Sequence, residues 1–155
     1  MLEPLTAEHA ADLFPHLRDP ELYRHLDEDP PPDPEWLARR FAALAAGAPA
    51  GRDEVWLNWA IRAEGALVGT TQATVRSDGP TSIAYVIGRA VWGRGVARAA
   101  TAEMLECLAL DHGVVEVQAE IDPANERSIR LVDALGFRDA GIVGSDRRFV
   151  RRLDR

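Results

Sequence analysis

The sequence predicts a mixed α/β domain around a largely antiparallel sheet with one parallel strand pair. Three observations carry that reading. Two stretches of helical period open the chain, and from Val55 the period shortens to that of strands. After Thr81–Ile87 the chain turns through closely spaced glycines into a long Ala-rich helix. That helix is a crossover, and a crossover makes its two flanking strands parallel.

The elements follow in order. Thr6 caps a first helix with Glu8 in its opening turn, and Leu13, Phe14 and Leu17 form its apolar stripe. Asp27-Glu28-Asp29-Pro30-Pro31-Pro32 excludes a helix and reads as an exposed connection. Asp33 then caps a second helix with Pro34 at its first position; Trp36, Leu37, Phe41 and Leu44 are its expected buried face, and Gly47 ends it.

Strands are expected at Val55–Ala63 and Ala66–Val75 around the turn Glu64-Gly65, and at Thr81–Ile87 after Ser77-Asp78-Gly79-Pro80. The crossover helix runs from about Val96 to Asp111, burying Ala100, Met104, Leu105 and Leu108, and stops at His112-Gly113. Val114–Ile121 is a strand ended by Asp122-Pro123. Asn125 to Leu135 is a short helix carrying Ile129, Val132 and Leu135, closed by Gly136. Phe137–Val143 and Phe149–Leu153 complete the strands.

Bulk properties bound the function. At 155 residues, 46% hydrophobic and 28% charged, the chain reads as one globular domain over residues 1–155. No apolar run is long enough for a bilayer, and Met1-Leu2-Glu3-Pro4 lacks the basic and apolar regions of a signal peptide. Cys107 is the one cysteine, so no intrachain disulfide forms, and a reducing cytoplasm is expected. A net charge of −7 disfavours nucleic acid as a partner and leans toward an amine-bearing acceptor. Every basic side chain is Arg, from which no function is drawn.

The segment Trp92-Gly93-Arg94-Gly95-Val96-Ala97 holds the sharpest chemistry. A helix N-terminus leaves backbone N–H groups unpaired and partly positive, and glycines let a bulky anion approach. Neither the Gly-Lys-Ser/Thr of a P-loop nor the Gly-x-Gly-x-x-Gly of a dinucleotide fold is present. From the loop alone, anion binding and plain turn geometry are both open.

A second constellation, Asp122-Pro123-Ala124-Asn125-Glu126-Arg127-Ser128 followed by Leu135-Gly136-Phe137, lies about thirty residues on. Together the two segments resemble the GNAT superfamily of acetyl-CoA-dependent N-acetyltransferases. Within it the likeness is to the branch that acetylates the N-terminal amines of ribosomal proteins, where Trp92 stands in place of the usual Gln or Arg. The resemblance implies the GNAT fold: a mixed, mostly antiparallel sheet of six to seven strands, splayed between the fourth and fifth, with about four helices.

It also implies roles. Backbone N–H groups of Gly93, Arg94, Gly95, Val96, Ala97 and Arg98, beside Trp92, would hold the pyrophosphate of acetyl-CoA. The main chain at Tyr85 and Ile87 would pair with the pantetheine arm, and a β-bulge in that strand would supply an oxyanion donor. Many members place an acidic Tyr seven residues after the Asn, but Val132 stands there. Ser128 is the candidate acid toward the departing thiolate, with helix-start assistance as its structural alternative. Asn125 would orient cofactor or acceptor, or simply cap its helix.

For the general base, no carboxylate is found in Thr81-Ser82-Ile83-Ala84; Glu120 is the candidate, with His25 another. No metal is expected, since His9, His16, His25 and His112 lack ligand spacing. Cys107, mid-helix among apolar neighbours, is a poor nucleophile, so the amine would attack the thioester directly. Trp56 and Trp59 should face opposite sides of their strand, one in the core and the other free to line the acceptor groove. Arg147, Arg148, Arg151 and Arg152 read as a solvated edge.

The acceptor, a protein N-terminus or a small-molecule amine, would enter between the early helices and Phe149–Leu153, chosen by the loops Tyr23–Pro34 and Ala48–Glu54. Many relatives pair as homodimers. The alternative function is a catalytically inactive acyl-CoA-binding sensor, motivated by the missing carboxylate at Thr81-Ser82.

Overall fold

The computed structural model describes residues 1–154. Short strand β1 (Leu2–Pro4) leads through a 3-10 turn at Ala7–His9 into helix α1 (Ala10–Leu17), and a second such turn spans Pro20–Tyr23. Helix α2 (Pro34–Ala45) is followed by β2 (Glu54–Ala63), β3 (Ala66–Arg76) and β4 (Thr81–Ile87). Then come α3 (Val96–His112), β5 (Glu116–Ile121), α4 (Glu126–Ala134), β6 (Arg138–Val143) and β7 (Asp146–Arg152). No described helix is long and apolar enough to cross a membrane.

The seven strands form one sheet in the order β1-β2-β3-β4-β5-β7-β6, antiparallel throughout except for β4 and β5. This is the expected mixed, mostly antiparallel GNAT sheet. The parallel pair touches only at Thr81↔Val117 and Ser82↔Gln118, after which the two strands part. The sheet is therefore open down its middle. β1, absent from the period-based reading, is three residues long and too short to show a period.

Helices cover both faces. Leu13, Leu17, Leu37, Phe41 and Ala60 bury α1 and α2 against one side. Met104, Leu108, Val117, Val132 and Phe149 bury α3 and α4 against the other. Strand alternation divides the residues of β2: Ala60 joins the first cluster, whereas Leu57 and Trp59 pack against the second.

The local signals act as the chemistry requires. The Asp33 carboxylate accepts the Trp36 N–H at 2.7 Å to start α2, and Gly113, left-handed at φ 63°, ends α3. Two expectations are corrected. Trp36 is 39% exposed, because the stripe that buries Leu37 and Phe41 turns it outward. The arginine run is not on a sheet edge, since β7 lies between β5 and β6, and its first two arginines find cross-strand partners. Arg147 meets Asp139 at 2.8 Å, and Arg148 meets Glu120 at 3.1 Å.

Candidate active site

The opening between β4 and β5 is bordered by two adjoining hollows. The register explains the first. Gly88 N–H donates to Val68 O, and since hydrogen-bonded pairs alternate along an antiparallel ladder, Val86 and Ala84 also address β3. Tyr85 and Ile87 consequently turn their main-chain groups to the opposite edge, which β5 has left. The Ile87 carbonyl is taken by the Trp92 indole N–H at 2.9 Å, whereas the Tyr85 main chain faces the gap. No bulge is needed: the β3–β4 register runs unbroken from Ser82 to Ile87, and the free edge comes from the splay. That corrects the expected β-bulge.

The groove along this edge is lined by Trp92, Gly93, Gly95, Val96, Ala97 and Arg98 from the loop and first turn of α3. Arg127 and Arg130 of α4 face them across the groove. Gly93 (φ 78°) and Gly95 (φ 77°) adopt the left-handed conformation that turns the strand into the helix. The first intrahelical bond runs from Ala99 N–H to Gly95 O, so the N–H groups of Val96, Ala97 and Arg98 lack helical partners. The Arg127 guanidinium lies 3.4 Å from the Trp92 ring centroid, a cation–π contact that fixes it beside the loop. Partly positive N–H groups and three guanidinium side chains make this groove locally cationic in a chain of net charge −7.

The second hollow adjoins it, sharing Tyr85 and Leu131. Ser128 and Val132 of α4 and its N-cap Asn125 form one wall, β5 supplies Glu120 and Ile121, and Met104 and Thr101 come from α3. Asn125 Oδ1 accepts the Ser128 N–H at 3.3 Å, the N-cap expected of it. Ser128 Oγ lies 2.9 Å from Tyr85 Oη. Burial pushes the Tyr85 phenol above its ordinary range, against the pull of the Ser128 hydrogen bond and the Arg127 charge. Thr101 is 1% exposed, and its hydroxyl oxygen has no partner among the described residues. An orphaned hydroxyl on a cavity wall is available to a ligand.

Carboxylates rim this hollow: Asp27, Glu120, Asp122 and Asp146. His25 stands among them, its Nδ1 3.8 Å from Asp122 Oδ2. The site can therefore accommodate a cationic group beside an imidazole and the hydroxyls of Tyr85, Ser128 and Thr101.

Ser128, Asn125, Glu120 and His25 thus meet in one cavity although the sequence spreads them over three elements. Tyr85 appears with a second part: besides its main chain, its side chain brings a phenol to Ser128, close to where Val132 offers none. Sequence reasoning misses the side chains of Tyr85, Thr101, Asp122 and the pair Arg127 and Arg130. The arginines carry a readable signal, since residues three apart share a helix face. Phe149 and Leu153 lie in the core, so the start of β7 at Asp146, and not Phe149–Leu153, borders the cavity. His25 to Asp27 line it, whereas Ala48–Glu54 do not.

A model of the acetyltransferase (GNAT) domain matches residues 1–138. A protein of Bacillus licheniformis called an uncharacterized N-acetyltransferase is 28% identical over 68 residues, which is 44% of this chain and 38% of that protein's length. Among solved structures, an aminoglycoside acetyltransferase in complex with coenzyme A is similar with a TM-score of 0.80, 19% identity and coverage of 98% of this chain and 94% of that one. An acetyltransferase from Thermus thermophilus gives 0.77 at 22% identity, covering 99% and 96%. These likenesses concern the fold. With the family match spanning most of its length and the splayed sheet in place, the chain belongs to the acetyltransferase (GNAT) domain family.

Proposed function

We propose that this protein is an acetyl-CoA-dependent N-acetyltransferase that passes the acetyl group directly to a primary amine in a ternary complex. One observation carries the reading: a cationic groove with unpaired backbone donors meets a carboxylate-rimmed cavity at Tyr85. The substrates differ in the same way, since the donor is polyanionic and the acceptor an ammonium before it reacts.

Acetyl-CoA supplies an activated thioester; the chain does the rest. The N–H groups at Gly93–Arg98, with Arg98, Arg127 and Arg130, bind the pyrophosphate. The free edge at Tyr85 receives the pantetheine amides as an added strand. The carboxylates hold the acceptor, and Glu120 and His25 are the two groups placed to take its proton, directly or through water. Ser128 faces the leaving sulfur. The acceptor is a peptide N-terminus, as in the branch acting on ribosomal proteins, or a small-molecule amine.

The experiment is thiol release from acetyl-CoA with a panel of N-terminal peptides and small amines. Acetylated product with at least one of them is expected. Tight acetyl-CoA binding with no turnover across the panel would instead identify an inactive acyl-CoA sensor. The Thr81-Ser82 segment keeps that reading alive, for it carries no carboxylate, and Ser82 Oγ is occupied by Arg76 (2.9 Å) and Gln118 (3.1 Å).

A further inference from the structure

We infer that Tyr85 is a positioning residue for the transfer step, its phenol holding the Ser128 hydroxyl so that the serine's own proton faces the leaving sulfur. This rests on the proposed acetyl transfer and names a residue to which neither the sequence patterns nor the family match gives a side-chain role.

Position is the first argument. Tyr85 and Leu131 border both hollows, so Tyr85 stands where a donor's arm would end and an acceptor would begin. The thioester sulfur has to pass this junction, since it joins the arm to the acetyl group. The side chain crosses from β4 to α4 there, and Tyr85 Oη and Ser128 Oγ lie 2.9 Å apart.

Direction is the second. A phenol is more acidic than an alkyl alcohol, so Tyr85 donates and Ser128 accepts. Burial of the phenol keeps it in its neutral, donating form. A serine in a helix commonly turns its hydroxyl back to the preceding turn's carbonyl. Here Tyr85 is its one partner among the described residues. With an acceptor lone pair engaged, the Ser128 hydrogen is left to point elsewhere. An accepted hydrogen bond also polarises the hydroxyl and makes it a better donor. The serine backbone is held meanwhile by Asn125 Oδ1.

The step balances without a permanent proton loss from either hydroxyl. The amine nitrogen forms the new C–N bond, and the C–S bond breaks with its electron pair leaving on sulfur. Ser128 hydrogen-bonds that charge as it develops. The ammonium first gives one proton to Glu120 or His25 and so to solvent; nitrogen loses its second proton as the C–N bond forms, sulfur gains one as the C–S bond breaks, and Tyr85 and Ser128 finish as they began.

A double-mutant cycle on the single-turnover acetyl-transfer rate tests the coupling. Tyr85→Phe keeps the ring and is expected to slow transfer about tenfold, with acetyl-CoA affinity within about twofold of wild type. In a Ser128→Ala background, itself slower by on the order of 100-fold, Tyr85→Phe should have no further effect. Equal losses in both backgrounds, or none in the wild type, overturn the inference.

If no amine is acetylated, the functional reading has failed and a second readout decides this one. The chain has two tyrosines, so a ¹³C label at the tyrosine ζ carbon gives two assignable signals. Adding CoA should move the Tyr85 signal clearly further in wild type than in Ser128→Ala, where only binding beside its main chain remains. A signal that stays still in wild type, or moves equally in both, overturns the pairing.

Discussion

The groove beside α3 and the cavity beside α4 share one opening but are made of different material. The groove is largely backbone: Trp92, Gly93 and Gly95–Arg98 from one short stretch of chain (Arg94 turns to another hollow), a strand edge freed by the splay, and arginines at its far wall. The cavity is side chains brought from the segment before α2, from β4 and β5, from α3 and α4 and from the start of β7. A backbone site binds what every donor molecule of a family shares. A side-chain site can change residue by residue, which is what a specificity site in the proposed reading requires. The charge divides accordingly, with guanidinium groups around one hollow and carboxylates around the other.

The largest expected effect breaks the groove alone. Gly95→Trp should reduce acetyl-CoA affinity by on the order of 100-fold or more in titration calorimetry, by placing an indole in the proposed pyrophosphate site. A Cβ at Gly95 meets no atom within 4 Å, so packing does not oppose the first side-chain atom. The left-handed φ of 77° does, at roughly 1–2 kcal/mol, and Gly95→Ala measures that strain separately. Unchanged affinity in Gly95→Trp would remove the loop from donor binding.

This contrast also explains what is legible in the sequence. The strand, glycine turn and crossover helix are contiguous, so Thr81–Ile87 and the start at Val96 can be read to the residue. The same holds for Asn125, whose capping role is local. The cavity is not legible as a whole, because no spacing in sequence states that His25 will stand beside Asp122, or that Tyr85 will reach Ser128. Glu120 stands out for its charge alone, and its partner Arg148 reads as an edge residue because sheet order does not follow chain order.

The cavity is tested next. Glu120 Oε1 accepts from Arg148, whereas His25 Nε2 has no hydrogen-bond partner among the described residues and its Nδ1 faces Asp122. His25→Ala should therefore lower kcat/KM by on the order of 100-fold, the usual scale of a lost general base, and Glu120→Gln by about tenfold or less. Chemical rescue separates the roles: added imidazole should restore part of the rate in His25→Ala and none in Glu120→Gln. The opposite ranking would make Glu120 the base. Acetyl-CoA affinity should be unaltered in both.

A smaller effect is expected across the groove. Arg127 is held over Trp92 and faces the loop, so Arg127→Ala should weaken acetyl-CoA binding about tenfold at low salt, as for one charge-assisted contact. Added salt should narrow the gap between variant and wild type, since screening weakens the interaction that only the wild type makes. Loss of affinity that ignores ionic strength would mean that Arg127 acts by supporting Trp92, and Arg127→Lys would then fail to restore it.

Cys107→Ser should change least, and the reason separates direct transfer from a covalent relay. Cys107 lies on α3, the helix that begins the groove, so proximity in sequence makes it the one thiol a relay could use. Burial raises its thiol above the ordinary range, and the hydrogen bond with Asp111 and the charges of Asp111 and Glu103 push the same way. At neutral pH it is thus the protonated, weakly nucleophilic form that is present, and alkylation should accelerate only as pH rises beyond the usual thiol range. Turnover of Cys107→Ser should equal wild type, and mass spectrometry of protein incubated with acetyl-CoA alone should find no acetyl group on Cys107. An acetylated Cys107 peptide would overturn this, because the groove could then hold the acetyl group without the cavity, and the two halves would act in sequence instead of together.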